Sequence, residues 1–324
     1  MDWALKYRPR VLDDLVGQDV NKEILKELVA KDSLFGAMIF YGRSGCGKTT
    51  TARILVNELD AEIIELDGAS NNGVDDARSI KDIASKLALT GKRKIIIIDE
   101  AHMLSRGAWN ALLKAIEEPN SMTHFIFCTT EYRAIPATIR GRSHMFKFYS
   151  IEPEVLTNYA KHILRLENST IADEVLELVV RESQGQVRDM LKLLQIAVQH
   201  NLSTREKLEK FLALPGVGGM GSFLEGVLSG NSKLATRALK TVTTDLLEWR
   251  DRLESLIYEM LEDYYNLSEL PYTLTQTAKL RELTRLYPPV LFGKILDYLL
   301  RITRAETARQ MFYVLATLGV ANVN

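Results

Sequence analysis

Cysteine is nearly absent: 324 residues hold two, Cys46 and Cys128. Thiols so few and so far apart exclude a disulfide framework or a four-cysteine zinc site, and they suit a reducing compartment. No apolar run approaches the ~20 residues that a membrane-spanning helix needs. The opening Met1-Asp2-Trp3-Ala4-Leu5-Lys6 lacks a basic region followed by an apolar core, so no signal peptide is expected. Excess charge of either sign is missing too. Lys plus Arg (41) nearly balances Asp plus Glu (42), so any nucleic-acid surface has to be local or built by oligomerisation. The expectation is a soluble, intracellular protein.

Apolar residues, at 46%, are plentiful enough to give two or three domains a core each. The most informative string is Gly42-Arg43-Ser44-Gly45-Cys46-Gly47-Lys48-Thr49, a G-x-x-x-x-G-K-T phosphate-binding loop. Its glycines let successive N–H groups point at phosphates, Lys48 reaches the β/γ-phosphates, and Thr49 offers a hydroxyl to Mg²⁺. An apolar run, Ala37–Tyr41, precedes it, and helical spacing follows over Thr50–Leu59. Strand, loop and helix are the required context. Downstream, Ile95-Ile96-Ile97-Ile98-Asp99-Glu100 predicts a strand buried on both faces with two acids at its carboxyl end, where ligands bind. Asp99 is expected to hold Mg²⁺ with Thr49, and Glu100 to polarise an attacking water. The pattern is that of an ATPase.

Short β-type runs at Met38–Tyr41, Glu62–Asp67, Lys94–Asp99, Phe125–Thr129 and Met145–Phe148 alternate with helical segments, which predicts a parallel α/β sheet over residues 1–150. Helical spacing at Pro153–Leu166, Ile171–Ser183 and Val187–His200 predicts a small helical domain over 151–214. The run Pro215–Gly221, rich in glycine, predicts a linker, and the remainder to 324 reads as all-helical, with breaks at Gly230, around Asn266–Pro271 and at Pro288-Pro289. Its stripe of Trp249, Tyr258, Tyr264, Tyr265 and Phe292 is read as core or subunit interface.

Three further strings carry a family resemblance across roughly residues 4–200: Lys6-Tyr7-Arg8-Pro9-Arg10 with Val16-Gly17-Gln18; Ala111-Leu112-Leu113-Lys114-Ala115-Ile116-Glu117-Glu118-Pro119; and Pro136–Ser143. With them the chain resembles the replicative clamp-loader ATPases of the AAA+ class. Gly68–Val74 and His102-Met103-Leu104-Ser105 make it most similar to the bacterial DNA polymerase III tau/gamma subunit, with the small subunits of eukaryotic and archaeal clamp loaders (replication factor C) next. The resemblance implies an AAA+ sheet domain, a helical lid and a helical collar used in oligomerisation. It implies an adenine slot formed by Tyr7, Arg8 and Val16, and nucleotide contacts from Gly42, Gly45, Cys46, Gly47, Lys48, Thr49 and Thr50. Thr130, or Thr129 in the other register, is the implied first sensor, and Arg188 the second. Arg142 in Gly141-Arg142-Ser143 stands where the family supplies an arginine finger to a neighbouring subunit; Arg140 competes with it.

The family's zinc module has no counterpart, because Thr50–Leu59 runs directly into Ala61–Leu66; ATP and Mg²⁺ are the expected cofactors, without zinc. Primer-template DNA is implied as a partner, tracked through its phosphates at two helix starts: Ser70 and Asn71 with Arg78 and Lys81, and Ser105 with Arg106. The sliding clamp is implied as another partner, with Ile83, Leu87 and Leu89 as candidate contacts, besides identical and non-identical loader subunits. No membrane partner is expected. The implied setting is cytoplasmic and nucleoid-associated, in a bacterial or virus-encoded system. A catalytically silent stator is disfavoured by the presence of Lys48, Thr49, Asp99, Glu100 and Arg142. An AAA+ helicase loader or branch-migration motor is the alternative enzyme, although it would not need the Tyr-Arg-Pro opening.

Overall fold

Ile95–Ile98 are all 1% exposed or less, because successive side chains of a strand point to opposite faces and here both faces are covered. Ile95 and Ile97 pack with Met38, Phe40 and Cys128 against Ala52 and Leu55 on one side, while Ile96 and Ile98 pack with Ile39, Phe125 and Phe127 against Ile80, Trp109 and Leu112 on the other. The computed structural model describes residues 1–86, 93–118, 122–212, 217–242, 245–265 and 274–320. These fall into two units, Met1–Asn201 and Leu202–Asn324.

The first unit runs α1 (Trp3–Lys6), α2 (Asp19–Ala30), β1 (Ala37–Gly42), α3 (Lys48–Glu58), β2 (Glu62–Asp67), α4 (Val74–Ser85), β3 (Lys94–Asp99), α5 (Arg106–Glu117), β4 (Thr123–Thr129), α6 (Ala137–Arg140), β5 (His144–Phe148), α7 (Pro153–Leu166), α8 (Asp173–Glu182) and α9 (Val187–Gln199). Its five strands are all parallel, in the order β2-β3-β4-β1-β5. Each strand read from the sequence is present, and α3 leads directly into β2. At the end of α4, the buried Lys94 ammonium donates to the carbonyls of Ile83 (2.9 Å) and Lys86 (3.0 Å), capping the helix with positive charge.

Helices α7–α9 form the lid. Helix α1 joins it: the Trp3 N–H donates to Gln195 Oε1 (2.8 Å), the Gln195 amide donates to the Met1 carbonyl (3.1 Å), and Lys6 pairs with Glu167 (2.6 Å). The N-terminal segment therefore packs on the lid that follows the sheet, Trp3 and Gln195 being 192 positions apart in sequence.

At the opposite end of the sheet from the loop, His124 is 3% exposed and bridges Phe35 O (3.1 Å) and Arg93 Nη1 (3.0 Å). Arg93 donates only, so the neutral ring accepts at Nε2 and donates from Nδ1 to the carbonyl. Burial, aided by the Arg93 charge, pushes the His124 pKa below its ordinary 6.5. The unfolded chain then binds the proton more tightly, and stability present above about pH 6.5 is lost as pH falls through the folded-state value. Urea midpoints measured between pH 7.5 and 5 should fall, and His124→Gln should flatten part of that fall; an unchanged slope would assign it to other groups.

The second unit contains α10 (Arg205–Phe211), α11 (Val217–Leu228), α12 (Ser232–Lys240), α13 (Leu246–Tyr264), α14 (Leu274–Leu286), α15 (Pro289–Leu300) and α16 (Ala305–Leu318). The linker expected over 215–221 gives way to helix from Val217 onward. Each glycine costs a helix about 1 kcal/mol against alanine, and burial of Met220, Phe223, Leu224 and Val227 against Ala235 and Ala238 offsets it. Pro215, Gly216 and the break at Asn266–Pro271 lie outside the described residues. The break at Pro288-Pro289 is the start of α15, with proline at its first position. Trp249, Phe223 and Phe312 meet edge to face at 4.8–6.0 Å in the core, and Phe292 is buried. Tyr258, Tyr264 and Tyr265 are exposed.

Candidate functional site

A cleft lies at the carboxyl end of the sheet, lined by Tyr7, Arg8, Val16, Gly45, Cys46, Gly47, Lys48, Thr49, Thr50, Asp99, Glu100 and Arg188. Three parts of the chain thus converge there: the N-terminal segment, the loop with the end of β3, and the lid. Ser44 of the loop lines it as well, and the rest of the wall is supplied by Ala4, Pro9, Leu15, Val187 and Leu191. They are apolar neighbours of the motif residues, and only that adjacency marks them in the sequence.

The loop is built for close backbone approach. Gly47 caps α3 at φ 99°, a conformation that side chains rarely adopt, and a Cβ on Gly42 would fall 2.1 Å from the Phe148 carbonyl oxygen of β5. Gly42 does not line the cleft; its carbonyl accepts from Lys48 Nζ at 2.9 Å, beside Arg43 O at 2.8 Å. Helix α3 makes its first backbone bond from Thr51 N–H to Gly47 O, so the amides of Lys48, Thr49 and Thr50 have no acceptor within the helix. Those amides and the helix dipole favour an anion.

Cations outnumber their partners in the cleft. Lys48 is 7% exposed, and burial lowers its pKa. Burial also lowers the pKa of Arg8, with the neighbouring Arg53 and Arg188 charges adding to it. Arg53 is committed to Glu65 (Nε to Oε2 2.8 Å), whereas neither Arg8 nor Arg188 forms an ion pair among the described residues.

On the acidic side, Thr49 Oγ1 donates to Asp99 Oδ2 at 2.9 Å, and the Glu100 N–H donates to Asp99 Oδ1 at 3.1 Å. Glu100 itself is left-handed (φ 45°, ψ 42°), the kind of strain that surrounding structure must hold in place. His102 Nδ1 lies 3.5 Å from Glu100 Oε2 and 3.1 Å from Thr129 Oγ1. Thr129 is wholly buried and also accepts the Glu131 N–H, so its hydroxyl is spent on the turn after β4. Cys128 faces the other way, against Thr49, and burial raises its thiol pKa, keeping it protonated. Nothing in the sequence motifs marks Cys128 as part of this floor; the period of two along β4 is the signal that points to it.

Other predicted residues stand apart from the cleft. Thr130 is exposed at the end of β4. Arg142 follows α6, its Nε 2.8 Å from Glu117 Oε1 and its Nη1 donating to Thr138 O at 2.9 Å. The Arg140 guanidinium lies 5.7 Å over the Tyr132 ring. The two helix starts proposed for DNA are adjacent, the Ser105 N–H donating to Asn72 O at 3.1 Å. They differ in charge. Helix α4 carries Asp75 and Asp76 in its first turn, Asp76 takes the Gly73 N–H, Arg78 pairs with Asp75, and both Ser70 and Asn71 donate to Asp67. Helix α5 has no acid in its first turn, is capped by Ser105 Oγ accepting from Ala108 N–H, and begins with Arg106. Lys81 is exposed on α4, as is Ile83 in part; Leu87 and Leu89 lie outside the described residues.

Comparison with known proteins agrees with this geometry. A family model described as DNA polymerase III, delta subunit, matches residues 57–152. The DNA polymerase III subunit gamma/tau of Mycoplasma genitalium is 33% identical over 264 residues, covering 72% of this chain and 44% of the relative. The DNA polymerase III subunit tau/gamma of Haemophilus influenzae is 30% identical over 294 residues, covering 83% and 43%. The subunit gamma of Buchnera aphidicola subsp. Schizaphis graminum is 29% identical over 294 residues, covering 82% and 80%. The chain thus spans less than half the length of the first two. The Thermotoga maritima RuvB Holliday junction branch migration motor shares the fold, with a TM-score of 0.55 at 21% identity over 68% of this chain and 79% of that one. The sequence relatives, the parallel sheet with its helical lid and the phosphate-loop cleft make this chain an AAA+ protein similar to the DNA polymerase III gamma/tau subunits.

Proposed function

We propose that this chain is the ATPase subunit of a DNA sliding-clamp loader, binding ATP to open the clamp with its partner subunits and hydrolysing it once primer-template DNA is gripped. The observation that carries the reading is a single cleft lined by Lys48, Thr49, Asp99, Glu100 and Arg188 in a chain similar to the gamma/tau subunits. The donor set fits ATP with Mg²⁺: free helix amides with Lys48 and Arg188 for phosphate, and a hydroxyl and a carboxylate 2.9 Å apart for a hard cation. When bound, ATP with Mg²⁺ supplies the scissile phosphoryl group and much of its charge neutralisation.

The chain's own residues do the rest. Lys48 and the α3 amides hold the phosphates, Thr49 and Asp99 hold the metal, Tyr7, Arg8 and Val16 wall the base, and Glu100 polarises the attacking water. Thr130 is preferred as first sensor, because alternation puts position 130 on the side of Cys128 while Thr129 is turned to His102. Arg188 senses from the lid, and Arg142 acts on a neighbour's nucleotide. We keep the functional division at 1–150, 151–214 and 215–324, the last serving assembly, and no zinc is included. The setting is a cytoplasmic replication complex of identical and non-identical subunits.

Of the two DNA surfaces, the α5 start is the stronger, since acids already occupy the α4 start. Arg106→Glu should weaken primed-DNA binding and reduce the slope of log affinity against log salt by about one. Arg78→Glu should do less. An unchanged salt slope in both would move the surface elsewhere.

The deciding experiment is steady-state ATP hydrolysis by the full chain, alone and with its cognate clamp, partner subunit and primed DNA. Strong stimulation only with all of them supports a clamp loader. Stimulation by DNA length with no response to clamp would overturn that reading in favour of a helicase loader or branch-migration motor.

A further inference from the structure

Gln18 completes the Val16-Gly17-Gln18 string yet does not line the nucleotide cleft. It is 8% exposed, and its backbone is left-handed (φ 58°, ψ 32°) immediately before α2. Its carboxamide joins segments far apart in sequence. The amide nitrogen donates to Tyr149 O at 2.7 Å and to Cys46 O, in the phosphate loop, at 3.4 Å. The amide oxygen accepts the Tyr149 N–H at 3.2 Å.

Tyr149 is the first residue beyond β5, and Ser150 and Ile151 lead into the lid. That stretch is also grasped by the lid's own interior: the Ile151 N–H donates to Gly185 O at 2.9 Å, and a Cβ on Gly185 would lie 2.5 Å from Ser150 Cβ. Three residues on, Arg188 enters the nucleotide cleft. Residues 149–151 are thus the joint between sheet and lid, and Gln18 is the side chain that ties the joint to the phosphate loop. A donor and an acceptor closing on one backbone residue is a two-point grip that only a carboxamide of this length provides. The left-handed backbone is a strain that persists where surroundings over-determine it.

We infer that Gln18 is a positioning residue for nucleotide binding: it sets the sheet–lid joint against the phosphate loop and thereby fixes the approach of Arg188. This rests on the ATP site proposed above. The shape-matched Gln18→Met removes all three bonds, and Gln18→Glu keeps the acceptor while losing both donors. Fluorescent-ATP titration of the full chain with Mg²⁺ should show about tenfold weaker binding for Gln18→Met, the size expected for loss of a buried hydrogen-bonded contact, and weakening for Gln18→Glu. The distinguishing readout is a double-mutant cycle with Arg188→Ala. Acting through the same arginine, the two losses should not multiply, and the double variant should bind no more weakly than the weaker single one. Parental affinity in Gln18→Met, or fully multiplicative losses, would overturn the inference. Should Gln18→Met fail to fold, amide exchange in the parental chain decides: ATPγS should slow exchange at Tyr149 and Ile151, and unchanged rates would refute the coupling. Lys48→Ala separates the two readings. If it binds ATP like the parent, the site assignment fails; if it loses binding while Gln18→Met does not, only the role of Gln18 falls.

Discussion

Arg142→Ala is expected to slow ATP hydrolysis in the assembled complex by about 10³–10⁵, the range for an arginine finger supplied in trans, while leaving ATP affinity of the isolated chain unchanged. Within its own chain Arg142 is far from any phosphate role: it is half-exposed and held by Glu117 and the Thr138 carbonyl. An exposed ion pair of that kind is worth at most ~1 kcal/mol, whereas 10³–10⁵ in rate corresponds to roughly 4–7 kcal/mol of transition-state stabilisation. Releasing Arg142 from Glu117 to meet a neighbour's phosphoryl group is therefore energetically easy. Single-turnover hydrolysis in the full complex, paired with nucleotide titration of the chain alone, checks both halves. A parental rate would remove Arg142 from the site and direct attention to Arg140, whose guanidinium rests on Tyr132.

How much of this was legible in the sequence depends on how local the determining physics is. The sheet was readable because a doubly buried strand must be apolar throughout, and Ile95–Ile98 leave no second interpretation. The phosphate loop was readable because its function requires glycine, lysine and threonine at fixed spacing. Where tertiary packing decides, the sequence was silent or pointed the wrong way. The glycines after Val217 predict a linker, but burial around Met220 and Phe223 outweighs their helix cost. Helix α1 anchors on Gln195 through contacts that no sequence window contains. The choice between Thr129 and Thr130 turned on a hydrogen bond to His102, 27 residues away. Asp75 and Asp76 were visible, yet their cost to a phosphate site at the α4 start became evident only once Asp76 was found on the Gly73 amide.

Glu100→Gln should lower kcat by about 10²–10⁴, the usual contribution of a positioned base, with binding of ATP and Mg²⁺ preserved. The geometry separates its role from that of Asp99. Asp99 spends both oxygens locally, one on the Thr49 hydroxyl and one on the Glu100 amide, which suits a residue that fixes a metal and the turn beside it. Glu100 projects from a left-handed turn, with its side chain 45% exposed and, among the described residues, His102 at 3.5 Å as its close polar neighbour. Its carboxylate is thus free to accept a proton from water, and glutamine keeps its shape while removing that basicity. Asp99→Asn should instead raise the Mg²⁺ concentration needed for activity, because it weakens a metal ligand. Measuring single-turnover rate and nucleotide affinity as functions of Mg²⁺ distinguishes them: Glu100→Gln should change only the rate at saturation, and Asp99→Asn should shift the Mg²⁺ dependence. A Glu100→Gln enzyme that hydrolyses at the parental rate would show that the attacking water is polarised by another group.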